Sequence, residues 1–135
     1  MQRRPPLKLK IQIMCGDEIA MGPGKADLLG AIAAHRSISA AGRALGMSYR
    51  RTWLLVDTMN RCWAEPLVAT VPGNPKAGAQ LTALGEAILA QYRELQSALE
   101  QASSAKLAAI LDQSLLPAPR AAQRESGAER TSAGA

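Results

Sequence analysis

Between Ser37 and Cys62 the chain reads SISAAGRALGMSYRRTWLLVDTMNRC, two helical patterns punctuated by a glycine, and no other segment restricts the possible folds as tightly. Ser39 is a suitable N-cap, because its hydroxyl can accept from a backbone N–H left free in a first helical turn. Behind it Ala41, Gly42 and Leu45 form the inward face, and the small ones let another helix come close. Gly46 suits the tight turn that ends this helix. Ser48 is a second N-cap, from which a helix is predicted to about Arg61 with Leu55, Val56 and Met59 available to a core. Two helices joined by a glycine-centred turn of about three or four residues make a helix-turn-helix. The second helix then opens on Tyr49, Arg50 and Arg51, long polar and cationic side chains at the point where such a unit projects outward.

The rest of the composition fits a helical body around that motif. The chain has 135 residues, one ordinary domain's worth, and is 47% hydrophobic without a single Phe. Its core must therefore be built from Leu, Ile, Val, Met and many Ala, which favours closely packed helices. The net charge of +5 is localised: residues 1–61 hold ten Lys/Arg against four Asp/Glu, and residues 62–135 hold six against seven. A basic surface confined to one part of a small domain is the electrostatic footprint of a nucleic-acid partner, although solubility alone also accounts for a charge of this size.

Around the motif, residues 7–13 alternate Leu7, Leu9, Ile11 and Ile13 with Lys8, Lys10 and Gln12, which predicts a short edge strand. After the Gly22-Pro23-Gly24 break, Leu28, Leu29, Ile32 and Ala33 predict a helix from about Lys25 to His35. Beyond Pro66, LVATV, the turn-rich PGNPKAGA and QLT read as a hairpin placed directly after the second motif helix. That hairpin is a candidate wing, with Asn74 and Lys76 at its tip. Thr82 then caps a long helix, about 82–111, whose stripe Leu84, Ile88, Tyr92, Leu95, Leu99 and Ala102 steps by four and three. Self-association is the expected use of that stripe. Residues 1–111 are thus expected to form one domain, and the Pro-, Ala- and Ser-rich residues 112–135 a disordered tail. The predicted fold class is mainly α with a small β-wing, a winged helix-turn-helix with a long C-terminal dimerisation helix.

Several function classes drop out. Cys15 and Cys62 lack CxxC spacing and His35 stands alone, so neither a disulfide scaffold nor a metal site is expected, and both thiols read as buried or incidental. A redox regulator would need an ionised Cys62 in a cationic cage, of which the sequence offers only Arg61. GPGK lacks the full phosphate-loop frame, and no nucleophile with its base can be assembled, so no enzyme, cofactor or small-molecule ligand is expected. No run of about 18 apolar residues occurs, which leaves a cytoplasmic, nucleoid-associated protein as the expectation.

Taken together, GPGKADLLGAI, SISAAGRALGMSYRRTWLLVDTMN and AGAQLTALGEAIL resemble the DNA-binding domain of the molybdate-responsive regulators, the ModE family, and more distantly the LysR-type winged helices, over about residues 7–105. The resemblance implies a dimeric winged helix-turn-helix on a palindromic operator, often near genes of molybdate uptake or molybdoenzymes. Full-length members continue into paired small β-barrel domains that bind the oxyanion; here a low-complexity tail follows instead, so no molybdate sensor is expected. The wing is also less glycine-rich and less basic than is typical of the family.

On this reading the partner is double-stranded DNA. Arg50 can reach a guanine edge and Arg51 a phosphate, while Tyr49 either contacts the backbone or covers the helix start. Ser48, Ser39, Arg43, Asn74 and Lys76 complete the expected DNA-binding set. Trp53 is expected to bridge the second motif helix and the wing, its N–H satisfied at that seam. Leu84, Ile88, Tyr92, Leu95 and Leu99 form the expected homodimer interface. The competing reading is a winged-helix module for protein association with little DNA binding.

Overall fold

The computed structural model describes residues 7–70 and 78–122. It is mainly helical, with two small antiparallel hairpins and a long final helix, in keeping with the predicted winged-helix class. The chain divides into two units, Met1–Ser104 and Ala105–Ala135.

In the first unit, residues 7–12 form no strand, although half-buried and exposed side chains alternate as the sequence pattern requires. The predicted edge strand over 7–13 is therefore corrected. Pairing begins only at β1 (Ile13–Cys15), which turns back through Gly16-Asp17 into β2 (Glu18–Met21). Gly16 has φ +60, the conformation that the first central position of a two-residue hairpin turn demands of its residue. Ile11 and Ile13 pack on the core.

Helix α1 (Pro23–His35) starts slightly before the predicted Lys25, because Pro23 can occupy a first-turn position where no N–H is needed. It buries Leu28, Leu29 and Ile32 completely and ends on Arg36, whose φ of 56 is left-handed. This reversal sets the start of α2 (Ile38–Ala44), capped by Ser37, whose Oγ accepts from the Ala40 N–H at 3.0 Å. Ser39 is thus inside the helix rather than its cap, and Leu45, 39% exposed, is not an inward residue. Ala41 and Gly42 do face inward.

Gly46, at φ +74, makes the turn into α3 (Tyr49–Cys62). Its burial stripe is Thr52, Val56 and Met59, with Leu55 only half-buried. The Gly42–Thr52 contact sets the spacing of the two helices: a Cβ on Gly42 would fall on Thr52 Oγ1 and within 2.9 Å of Thr52 Cβ. Thr52, 1% exposed, turns its hydroxyl back to donate to Ser48 O at 2.8 Å.

β3 (Val68–Thr70) and β4 (Ala79–Leu81) pair antiparallel, Val68 opposite Leu81, as the predicted wing requires. Asn60 fastens the far end of α3 to this hairpin: its Oδ1 accepts from Leu67 N and Val68 N at 2.9 and 3.0 Å, and its Nδ2 donates to Val68 O at 3.1 Å. At the other corner the Ala79 N–H donates to Arg36 O at 3.0 Å.

Thr82 caps α4 (Ala83–Ser114), its Oγ1 accepting from Gly85 N at 3.0 Å and donating to Pro66 O at 2.7 Å. Within the first unit, Leu84 and Ile88 lie against the core and Tyr92 is buried, its hydroxyl donating to Ile11 O at 2.6 Å. Burial pushes the Tyr92 phenol up from its ordinary pKa. The exposed Arg93–Asp27 pair, 3.0 Å apart, ties α4 to α1 at the surface. The second unit holds the end of α4, which continues past the predicted Leu111, and residues 115–122, where Leu115 and Leu116 are exposed.

Candidate nucleic-acid interface

The opening of α3 is built locally. Ser48 is extended and its Oγ accepts from the Arg51 N–H at 3.1 Å, so the helix begins where the sequence pattern puts it. Met47 N donates to Gly42 O at 2.8 Å and Gly46 N to Arg43 O at 3.0 Å, which closes the turn between the helices. Gly42, having no Cβ, lets α2 sit directly behind α3.

From that support Tyr49, Arg50 and Arg51 stand out as exposed residues, Tyr49 at 68%. The first turn of α3 holds no acidic residue. The positive end of the helix dipole and two guanidinium groups therefore coincide, an arrangement that attracts anions. Farther along, Asp57 is neutralised by Arg61, whose Nε donates to its Oδ2 at 2.8 Å. That bond is also the main reason the Arg61 pKa lies above its ordinary value. Leu54, 52% exposed, lies between the arginines and this pair.

Trp53 is half-buried against the core, its ring 6.1 Å from that of Tyr49 and tilted 56°. Its Nε1 is buried and, among the described residues, has no hydrogen-bond partner, contrary to the expectation that its N–H would be satisfied. Beside it a pocket of about 360 Å³ opens between the start of α2 at Ser37 and Ser39, the start of α3 at Tyr49, and the foot of β4 at Gly78 and Ala79. Ser39 is half-buried there and Arg43 is exposed on α2. Asn74 and Lys76 lie outside the described residues, as do Arg3 and Arg4. Lys8, Lys10 and His35 are exposed.

Of the expected association stripe, Leu84, Ile88 and Tyr92 are drawn onto the chain's own core, while Leu95 and Leu99 stay exposed at 42% and 39%. For Tyr92 the arm at residues 7–13 contributes, since its hydroxyl donates to Ile11 O and Ile11 and Ile13 pack on the same core.

The cysteines are brought together rather than scattered. Cys62 lies near Cys15, and burial first, then the neighbouring thiol, push the Cys62 thiol up. A neutral thiol lacks the thiolate character a redox sensor needs. Lys25 is partly buried nearby, and desolvation holds its ammonium below the usual lysine pKa. Among the described residues no group of three or more His, Cys, Asp or Glu could hold a metal ion, and no helix is long and apolar enough to cross a membrane.

Asn60, Leu54 and Gly85 were not singled out by pattern. A polar residue within the last two turns of an otherwise amphipathic helix was the available signal for Asn60.

No family model matches the chain. Among curated proteins it is similar to the molybdenum-pterin-binding protein MopA of Rhodobacter capsulatus, 35% identical over 98 residues, which is 72% of this chain and 37% of that protein. It is 38% identical over 96 residues to the molybdenum-pterin-binding protein MopB of the same organism, covering 70% of this chain and 34% of that protein. A third relative is the molybdenum transport protein ModE of Azotobacter vinelandii, 40% identical over 89 residues, covering 62% and 33% respectively. The chain spans about a third of the length of these relatives.

Proposed function

We propose that this chain, related through its N-terminal part to the ModE proteins, is a non-enzymatic, dimeric regulator of transcription that binds duplex DNA with α3 in the major groove. The observation that carries the reading is the exposed Tyr49-Arg50-Arg51 tip, capped by Ser48, backed by α2 and free of carboxylates in its first turn. Arg50 offers a bidentate donor to guanine O6 and N7, and Arg51 a phosphate contact. Ser39 and Trp53 line the pocket beside Tyr49, Arg43 is exposed on α2, and on this reading Arg43 together with Asn74 and Lys76 of the wing would contact the backbone. The molybdenum-binding function in the relatives' names is not carried over: on our reading, regulation comes from outside this domain, and the protein works at the nucleoid in the cytoplasm.

Binding to duplex DNA should weaken steeply between about 50 and 200 mM salt, because counterions are released from the phosphates. Arg51→Ala is expected to reduce the slope of log affinity against log salt by about 1 on every sequence. Arg50→Ala should cost about 1–3 kcal/mol and relax base preference at one position. Fluorescence anisotropy with labelled duplexes checks both; a flat salt response, or two silent substitutions, would remove the DNA reading.

Dimerisation rests on Leu95 and Leu99, exposed on one side of α4. Two copies joined there present half-sites about 34–36 Å apart, or a multiple of that distance. Leu95→Asp is expected to convert a sedimenting dimer into a monomer with unchanged helicity, and a variant that still sediments as a dimer places the interface elsewhere. The same exposed leucines favour the second reading, an association module. That reading gains if a partner binds this face while wild-type protein ignores DNA.

A further inference from the structure

Leu54 belongs neither to the core nor to the hydrophobic residues packed against it. It is 52% exposed on α3, which already has Val56 and Met59 buried and Leu55 half-buried on its core side. It follows Arg50 by four positions, so the two share one face of the helix. Asp57, the first carboxylate beyond it, is already occupied by Arg61 at 2.8 Å. The outward face of α3 thus presents guanidinium groups, then one aliphatic side chain, then a neutralised ion pair. In the major groove the base edges offer donors, acceptors and a single apolar group, the 5-methyl of thymine.

We propose that Leu54 reads a thymine methyl, a contact that rests on the DNA reading above and adds a base to it. Along a helix rising about 1.5 Å per residue, Leu54 lies about 6 Å beyond Arg50. With base pairs stacked about 3.4 Å apart, that places the thymine within about two steps of the guanine contacted by Arg50. The contact distinguishes thymine from cytosine, which lacks the methyl group, at a position where no hydrogen bond is made.

The experiment uses the full chain and a duplex selected from a random library. Each thymine of a half-site is replaced in turn by deoxyuridine, which lacks only the methyl group, and affinity is measured for wild type and Leu54→Ala. One position per half-site is expected to weaken wild-type binding about fourfold, the value of one buried methyl-sized group. Leu54→Ala, whose fold should be intact because the side chain is exposed, is expected to bind both duplexes equally. Wild-type protein insensitive to every replacement, or a variant as sensitive as wild type, overturns the proposal while leaving DNA binding in place. Failure of wild type to bind any duplex in a salt-dependent way overturns both.

Discussion

Gly85→Ala is expected to destabilise the folded chain by about 3 kcal/mol, the upper part of the range for overpacking a filled site. A Cβ at this position would fall on the carbonyl oxygen of Leu67 and lie 3.0 Å from its carbonyl carbon. That stretch of backbone cannot withdraw. Leu67 N donates to Asn60 Oδ1 at 2.9 Å, and Leu67 O accepts from Thr82 N at 2.9 Å, so both sides of the residue are held. Its side chain is fully buried as well. Helix propensity argues the other way, since alanine is favoured over glycine in a helix by about 1 kcal/mol. The sign of the change therefore decides between them: urea denaturation followed by circular dichroism should show a lower midpoint, and a midpoint at or above wild type would mean that Leu67 and α4 are not in contact.

Gly42→Ala is the second large effect, about 2–3 kcal/mol, and it should also cost DNA affinity because it forces α2 from α3. The obstruction here is the Thr52 side chain, with Cβ and Cγ2 both at 2.9 Å from the added carbon. Truncating Thr52 removes Oγ1 and Cγ2 together. Gly42→Ala in a Thr52→Ala background is consequently expected to cost less than in wild type, a coupling of the kind that neighbouring residues show in double-mutant cycles. Strictly additive losses in thermal unfolding would contradict the direct contact.

The helix-turn-helix was readable because everything that shapes it is local. Ser48 finds the Arg51 N–H three residues on, Gly46 supplies a positive φ, and the arginines follow at once. The first cap was misplaced for an equally local reason: Ser37 and Ser39 both fit the pattern, and the choice falls to Ser37 because Arg36 turns left-handed just before it. No propensity marks an arginine for that conformation. The alternation in residues 7–13 correctly gave one half-buried side, yet burial periodicity does not say whether an extended segment has a strand partner. The true hairpin was signalled by Gly16-Asp17 and by little else.

Contacts over long sequence distances were out of reach. Tyr92 to Ile11, Trp63 Nε1 to Ala20 O at 3.3 Å and Cys15 to Cys62 join segments with no common pattern. The α4 stripe shows the same limit from the other side. Its spacing was seen, but how far the chain itself would cover it depended on where the N-terminal arm lies.

The foot of the wing is anchored twice, by Ala79 to Arg36 O and by Thr82 to Pro66 and Leu67, and α4 begins at the very next residue. No slack peptide separates the reading head from the rod on which two copies would meet. On the proposed reading such a pair would behave as a caliper with its jaws locked: it would accept operators of one gauge and reject those stretched or shortened by a few base pairs, however well each half is matched.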